Sequence, residues 1–116
     1  MAYILSTKHP KKRAFITGGG GGLGRALALA LAKEGWTVGI TDINEAALAE
    51  SKKLAEDAGG KAFTYKFDVA KKDDYKIAFD DFINKAGGLD ILINNAGVGD
   101  GGLVGEYDLG HWDWIT

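Results

Sequence analysis

The sequence predicts an α/β fold, a doubly wound parallel sheet of about four strands in the order 3-2-1-4 with helices on both faces. Three observations point there. Short β-prone runs alternate with helical patterns at intervals of roughly 22–28 residues, the spacing of repeated βαβ units. Strands two and four are nearly continuous apolar runs, as expected of strands covered on both faces. The first strand runs directly into Thr17-Gly18-Gly19-Gly20-Gly21-Gly22-Leu23-Gly24, a stretch dominated by glycine at the point where a strand must turn sharply into a helix.

Residues 1–12 read as a solvated lead-in, with Pro10 discouraging helix just before strand one, Arg13–Thr17. The pattern Leu23, Ala26, Leu27, Ala30, Leu31 places the first helix from about Gly22 to Glu34, and Gly35 suits the left-handed position beyond its end. Strand two is Trp36–Thr41, ending at Asp42. Asn44 is expected to cap the second helix, with Glu45 favourable to its dipole. Its apolar stripe is Ala47, Leu48, Leu54, Ala55 and Ala58, and Gly59-Gly60 ends it. Strand three, Ala62–Phe67, leads into Asp68-Val69. The third helix spans about Lys72 to Ala86 with the stripe Tyr75, Ala78, Phe79, Phe82, Ile83 and Ala86, and Gly87-Gly88 stops it. Strand four, Leu89–Ile93, leads into Asn94-Asn95-Ala96-Gly97 and a glycine-rich loop from Val98 to Gly105. A last helix is expected from Asp108, its N-cap, with Tyr107 and Trp112 as a hydrophobic staple. His111, Trp112 and Trp114 then read as core residues of that helix, with the border of a pocket or an oligomer interface as the alternative.

The totals exclude several classes. The chain has 116 residues, a length that fits one domain. Its net charge of −2 provides neither a basic field for nucleic acid nor a polybasic patch for a membrane. The absence of cysteine excludes disulfides and thiolate metal sites, and His9 and His111 are the only histidines, so no metal site is expected. No uncharged apolar stretch approaches the ~20 residues of a membrane span. At the N-terminus Tyr3-Ile4-Leu5 precedes Lys8, Lys11, Lys12 and Arg13, the reverse of a secretion signal. A cytoplasmic protein is expected.

Glycine inside an element costs roughly 0.5–1 kcal/mol against alanine, so the glycine run needs a use. A bare backbone and the exposed N–H groups of a helix start suit a diphosphate. Both Gly19-x-Gly21-x-x-Gly24 and Gly18-x-x-x-Gly22-x-Gly24 fit dinucleotide-binding patterns. An NTPase phosphate loop requires Lys and then Ser or Thr after the last glycine, where this chain has Arg25 and Ala26. A flexible linker would not sit between a strand and a helical pattern. Asp42, ending strand two 18 positions after Gly24, is placed to accept hydrogen bonds from ribose hydroxyls and to repel a 2′-phosphate, which predicts NAD over NADP. A helix N-cap is the plainer role for that carboxylate. Arg25, a conceivable phosphate partner, is expected to point to solvent. Asp68 and Val69 could line an adenine ring or simply end a strand. Two amides and two small residues in Asn94-Asn95-Ala96-Gly97 suit close approach of a ribose, with an ordinary Asn-Gly-type turn as the alternative.

In order and spacing these motifs resemble the N-terminal, cofactor-binding half of a short-chain dehydrogenase/reductase. Thr17-Gly18-x-x-x-Gly22-Leu23-Gly24 matches that family's cofactor motif, and Asp42 its NAD-selecting acid. Asp68-Val69 matches its adenine contact, and Asn94-Asn95-Ala96-Gly97 its motif after the fourth strand. The resemblance implies a Rossmann-like sheet, hydride transfer between a nicotinamide cofactor and an alcohol or carbonyl substrate, and a homo-oligomer. It implies cofactor contacts at Gly18, Gly21, Gly22, Leu23 and Gly24 around the glycine run. It implies further contacts at Asp42 and Ile43, at Asp68 and Val69, and at Asn95, Ala96 and Gly97. The family's catalytic helix asparagine, strand serine and Tyr-x-x-x-Lys pair lie later in the chain than these motifs. No tyrosine here has lysine four residues on, because Thr7, Val69, Phe79 and His111 occupy those positions. No catalytic residue is therefore assigned. Residues 13–116 are expected to form a dinucleotide-binding domain, incomplete relative to the family and cut at the start of the helix after strand four. The flank of strand four would then be an open edge prone to self-association. Two other classes compete: a non-catalytic nucleotide-binding module, and an S-adenosylmethionine-dependent methyltransferase. The second usually has an acid leading the glycine loop, where this chain has Thr17.

Overall fold

Four strands run parallel in the order β3-β2-β1-β4: β1 (Arg13–Thr17), β2 (Thr37–Asp42), β3 (Lys61–Lys66) and β4 (Ile91–Asn94). This computed structural model describes residues 10–68, 71–94, 103–108 and 111–115. Helices α1 (Gly22–Lys33), α2 (Glu45–Asp57) and α3 (Lys72–Ala86) connect the strands in chain order. The predicted elements from Arg13 to Asn94 are all present, with ends that shift by two residues at most.

Strand alternation divides the interior into two layers. On one face Ala14, Ile16, Val38, Ile40, Ile91 and Ile93 meet Ala28, Leu31 and Ala32 of α1 and Leu48 and Ala55 of α2. On the other, Phe15, Leu89 and Leu92 pack with Ala78 and Phe82 of α3. That second layer is aromatic: Phe15 and Phe79 meet edge to face with centroids 5.4 Å apart. Gly39 makes room for it, because a Cβ there would stand 2.7 Å from ring atoms of both Phe15 and Phe82.

Helix ends follow from single residues. Asn44 Oδ1 accepts from the Ala47 N–H at 3.0 Å, the expected N-cap of α2. Gly35 and Gly87 close α1 and α3 with φ of 82° and 83°, a conformation that side chains resist. The α3 stripe lies on the aromatic layer as predicted. The other two stripes differ. In α1 the buried positions are Gly24, Ala28, Leu31 and Ala32, while Leu23 is exposed. Alanine and leucine almost surround this helix, so periodicity alone cannot choose its inner face. In α2 the buried seats are Leu48, Ser51 and Ala55, and Leu54 turns outward.

Beyond β4 the sheet continues with two antiparallel strands, β5 (Leu103–Asp108) and β6 (His111–Ile115), giving the order β3-β2-β1-β4-β5-β6. The helix expected from Asp108 is therefore replaced by a strand pair, and β5 covers the flank of β4 that was expected to be open. Tyr107 and Trp112, read as a staple, are cross-strand partners in the β5–β6 register. The cause lies in both composition and context. Leu103, Val104, Tyr107, Trp112, Trp114 and Ile115 are good strand formers, and β4 offers a row of unpaired backbone groups beside them. The glycine-rich loop accordingly ends before Leu103. The side-chain placement of His111, Trp112 and Trp114 lies outside the described residues.

Candidate functional site

The C-terminal ends of β1, β2 and β4 lie side by side, and the glycine run leaves the sheet there. Thr17, the last residue of β1, pairs with Asn94 of β4, and its hydroxyl donates to Asn94 Oδ1 at 3.0 Å. Gly18 follows with φ 68°, the left-handed turn that begins the loop. The Gly19 N–H donates to the Thr41 carbonyl at 2.9 Å, lacing the loop to β2.

The glycines have different reasons to be glycine. A Cβ on Gly24 would run into the Gly18 carbonyl oxygen and stand 2.9 Å from Gly19 Cα. Bare backbone at Gly24 thus lets α1 close directly onto the strand-one turn. Gly19 and Gly20 are buried, the first against Ile40 and the second against the Asp42 carboxylate. Around Gly21 and Gly22 the situation reverses. A Cβ at either position would meet nothing within 4 Å. Gly21 is the N-cap of α1, makes no side-chain cap hydrogen bond, and has extended backbone with φ −167°. No acidic side chain occupies the first turn of α1. The helix therefore presents its first N–H groups, and the positive end of its dipole, at an uncovered surface.

Asp42 completes this edge. Its Oδ2 accepts from the Gly20 N–H at 3.0 Å and its Oδ1 from the Asn44 N–H at 3.1 Å. The N-cap of α2 is Asn44, so Asp42 does not have the capping role that was its plainer reading. Each carboxylate oxygen keeps a further lone pair after these bonds. Ile43 beside it and Leu23 on α1 are apolar yet 68 % and 53 % exposed. Asp68 is exposed just past β3. The expected contacts Val69, Asn95, Ala96 and Gly97 lie outside the described residues.

Arg25 departs from its expectation. Rather than pointing to solvent, its side chain, 24 % exposed, folds back under the loop. Nε donates to Ser51 Oγ at 2.9 Å, and Nη2 donates to the Gly20 carbonyl at 2.6 Å and the Ala47 carbonyl at 3.2 Å. Ser51 Oγ in turn donates to the Gly19 carbonyl at 2.8 Å. Attraction to backbone carbonyls that would otherwise be buried unpaired outweighs the pull of water on the guanidinium. Ser51 had no place in a hydrophobic stripe. Its signal was available all the same: it lies three residues after Leu48 and four before Ala55, on the buried face, where a hydroxyl demands a partner. Among the described residues, no cluster of His, Cys, Asp or Glu could hold a metal ion, and no helix is long and apolar enough to cross a membrane.

A parallel sheet with a glycine turn after β1, a bare helix start and an acid ending β2 defines a dinucleotide-binding α/β domain. The family model described as short chain dehydrogenase matches residues 12–115, and the chain belongs to that family. Diacetyl reductase [(S)-acetoin forming] of Staphylococcus epidermidis is 42 % identical over 87 residues, covering 75 % of this chain and 34 % of the reductase. Among solved structures, NAD+-bound xylitol dehydrogenase superposes with a TM-score of 0.72 at 34 % identity, over 75 % of this chain and 34 % of that one. Carveol dehydrogenase from Mycobacterium avium in complex with NAD gives 0.72 at 35 % identity, over 76 % and 36 %. The chain thus spans about a third of the length of each of these proteins.

Proposed function

We propose that this chain is the NAD-binding portion of an oxidoreductase that moves a hydride between the nicotinamide cofactor and an alcohol or carbonyl substrate. The diphosphate would lie over the uncovered main chain of Gly21 and Gly22 and the start of α1, with Gly18 and Gly24 shaping the turn beneath it. Asp42 would accept from the adenosine ribose hydroxyls, Leu23 and Ile43 would shield the nucleotide, and Asp68 with Val69 would border the adenine. Asn95, Ala96 and Gly97 are assigned to the ribose approach on their motif alone. When bound, the nicotinamide ring supplies the hydride chemistry; this chain's own residues bind and orient it.

The observation that carries the proposal is the Asp42 carboxylate, held by two backbone N–H groups beside the open loop. A negative group fixed there would sit against a 2′-phosphate, which supports NAD over NADP. Titration calorimetry with both cofactors tests this, and tighter binding of NADP, or no binding of either, overturns it.

These 116 residues contain no Tyr-x-x-x-Lys pair, so this polypeptide by itself is proposed to bind cofactor without turnover. Alcohol-dependent NADH formation by the purified chain would refute that. For the whole protein we propose a small alcohol or carbonyl substrate and a homo-oligomeric state.

A further inference from the structure

Arg25 and Ser51 sit outside every cofactor contact assigned above, yet they hold the loop that makes those contacts. Ser51 is 1 % exposed, a hydroxyl in a seat that α2 otherwise fills with Leu48 and Ala55. It accepts from Arg25 Nε and donates its own proton to the Gly19 carbonyl, while Arg25 Nη2 takes the Gly20 carbonyl. A trans peptide is planar, with C=O and the following N–H pointing in opposite directions. Gripping the Gly19 carbonyl from the α2 side therefore aims the Gly20 N–H the other way, where it meets Asp42. Gripping the Gly20 carbonyl likewise turns the Gly21 N–H the opposite way, at a residue where an added Cβ would meet nothing within 4 Å.

We propose that Arg25 and Ser51 are positioning residues that preset the glycine loop for a diphosphate by holding two of its carbonyls on the side away from the ligand. The proposal rests on the dinucleotide reading of the loop. It also defines the role of the one arginine near the site. Arg25 is engaged with Ser51, Gly20 and Ala47, so its guanidinium is a brace for the loop and no partner for a 2′-phosphate. Its contact with Glu50, at 3.4 Å and largely exposed, adds little. Without the brace, five successive glycines are free to sample many shapes, and the ligand must select one of them.

The test compares Arg25→Met, Arg25→Lys and Ser51→Ala with the parent chain by amide chemical-shift titration with NAD and with adenosine, which has no phosphate. Loss of the brace weakens NAD about tenfold in Arg25→Met and leaves adenosine within about twofold. Arg25→Lys recovers only part of the loss, because one ammonium cannot serve Ser51 and the Gly20 carbonyl with a planar fork. Thermal midpoints of the ligand-free chains accompany each titration. If Arg25→Met does not fold, Ser51→Ala, which keeps the guanidinium, carries the test through the same selective loss of NAD. Unchanged NAD affinity in the folded variants, or equal weakening of NAD and adenosine, overturns the positioning role while leaving the NAD reading intact. A parent chain that binds neither ligand overturns the NAD reading itself.

Discussion

The contrast between Gly21 and Gly24 is the sharpest consequence of the loop geometry. Both become alanine in the perturbation, and the structure assigns them opposite outcomes. At Gly21 the φ of −167° is open to any residue, and a Cβ would meet nothing within 4 Å. Two small effects then act on stability. Alanine is a poorer N-cap than glycine, costing about 0.5–1 kcal/mol, and it stiffens the unfolded chain by about 0.4–1 kcal/mol. They cancel to within about 0.5 kcal/mol, or roughly 2 °C for a chain of this size. The added methyl group does fall in the space proposed for the diphosphate. NAD affinity is expected to drop at least tenfold, which is about 1.4 kcal/mol.

At Gly24 the methyl group would meet main chain, with the Gly18 carbonyl carbon 2.8 Å away. Main chain cannot rotate aside, so α1 must move off the sheet, at about 1–3 kcal/mol or more. Thermal unfolding and NAD calorimetry on both variants separate the cases. Gly21→Ala should keep its melting temperature and lose ligand, whereas Gly24→Ala should melt about 4–12 °C lower. Full NAD affinity in Gly21→Ala would refute the placement of the diphosphate. An unperturbed Gly24→Ala would refute the packing argument.

Three further outcomes follow from the scaffold. Arg13 donates Nε and Nη2 to the two Asp90 oxygens at 2.8 and 3.1 Å, clamping the starts of β1 and β4 far from the loop. Arg13→Met should cost about 2 kcal/mol in denaturant unfolding, discounted from the value for a fully buried pair, with NAD affinity unchanged. Gly39→Ala places a methyl group against Phe15 and Phe82 and should lower the urea midpoint by an amount equivalent to about 1–3 kcal/mol. Burial, followed for Tyr65 by its 2.7 Å hydrogen bond to Asp81, holds the Tyr65 and Tyr75 phenols above their usual range. The unfolded chain ionises these phenols from about pH 10 while the folded chain does not, so their contribution is complete below that pH and declines above it. Melting temperatures measured from pH 9 to 11 should fall, and Tyr65→Phe should make that fall shallower.

Much of this was legible in the sequence where local chemistry and the fold agree. Asn44, Gly35 and Gly87 end their helices by rules that act over a few residues, and the α3 stripe is aromatic enough to have one possible inner face. The place of Asp42 beside the glycine loop was legible from its distance to that run in the sequence. Legibility ended where the deciding partner is remote. Nothing adjacent to Arg25 tells that Ser51, 26 residues away, will take its Nε. The segment from Leu103 to Ile115 carries residues that fit a helix or a strand, and the unpaired flank of β4 decided for a strand pair.

The position of the site follows from the strand order more than from any single motif. β1 has β2 on one side and β4 on the other, and the helix that leaves β1 packs on one face of the sheet while α3, which leads to β4, packs on the opposite face. The helix leaving β1 and the helix entering β4 thus lie on opposite faces, and the carboxyl ends of such a strand pair border the crevice in which ligands of open α/β sheets lie. A side-chain hydrogen bond from Thr17 to Asn94 adds to the backbone ladder between the two strands at that end. It ties the start of the glycine loop to β4, and the hydrogen bond from the Gly19 N–H to the Thr41 carbonyl ties it to β2. A loop of bare backbone can keep a defined place on the sheet because its start is tied to β2 and β4 and two of its carbonyls are held by Arg25 and Ser51.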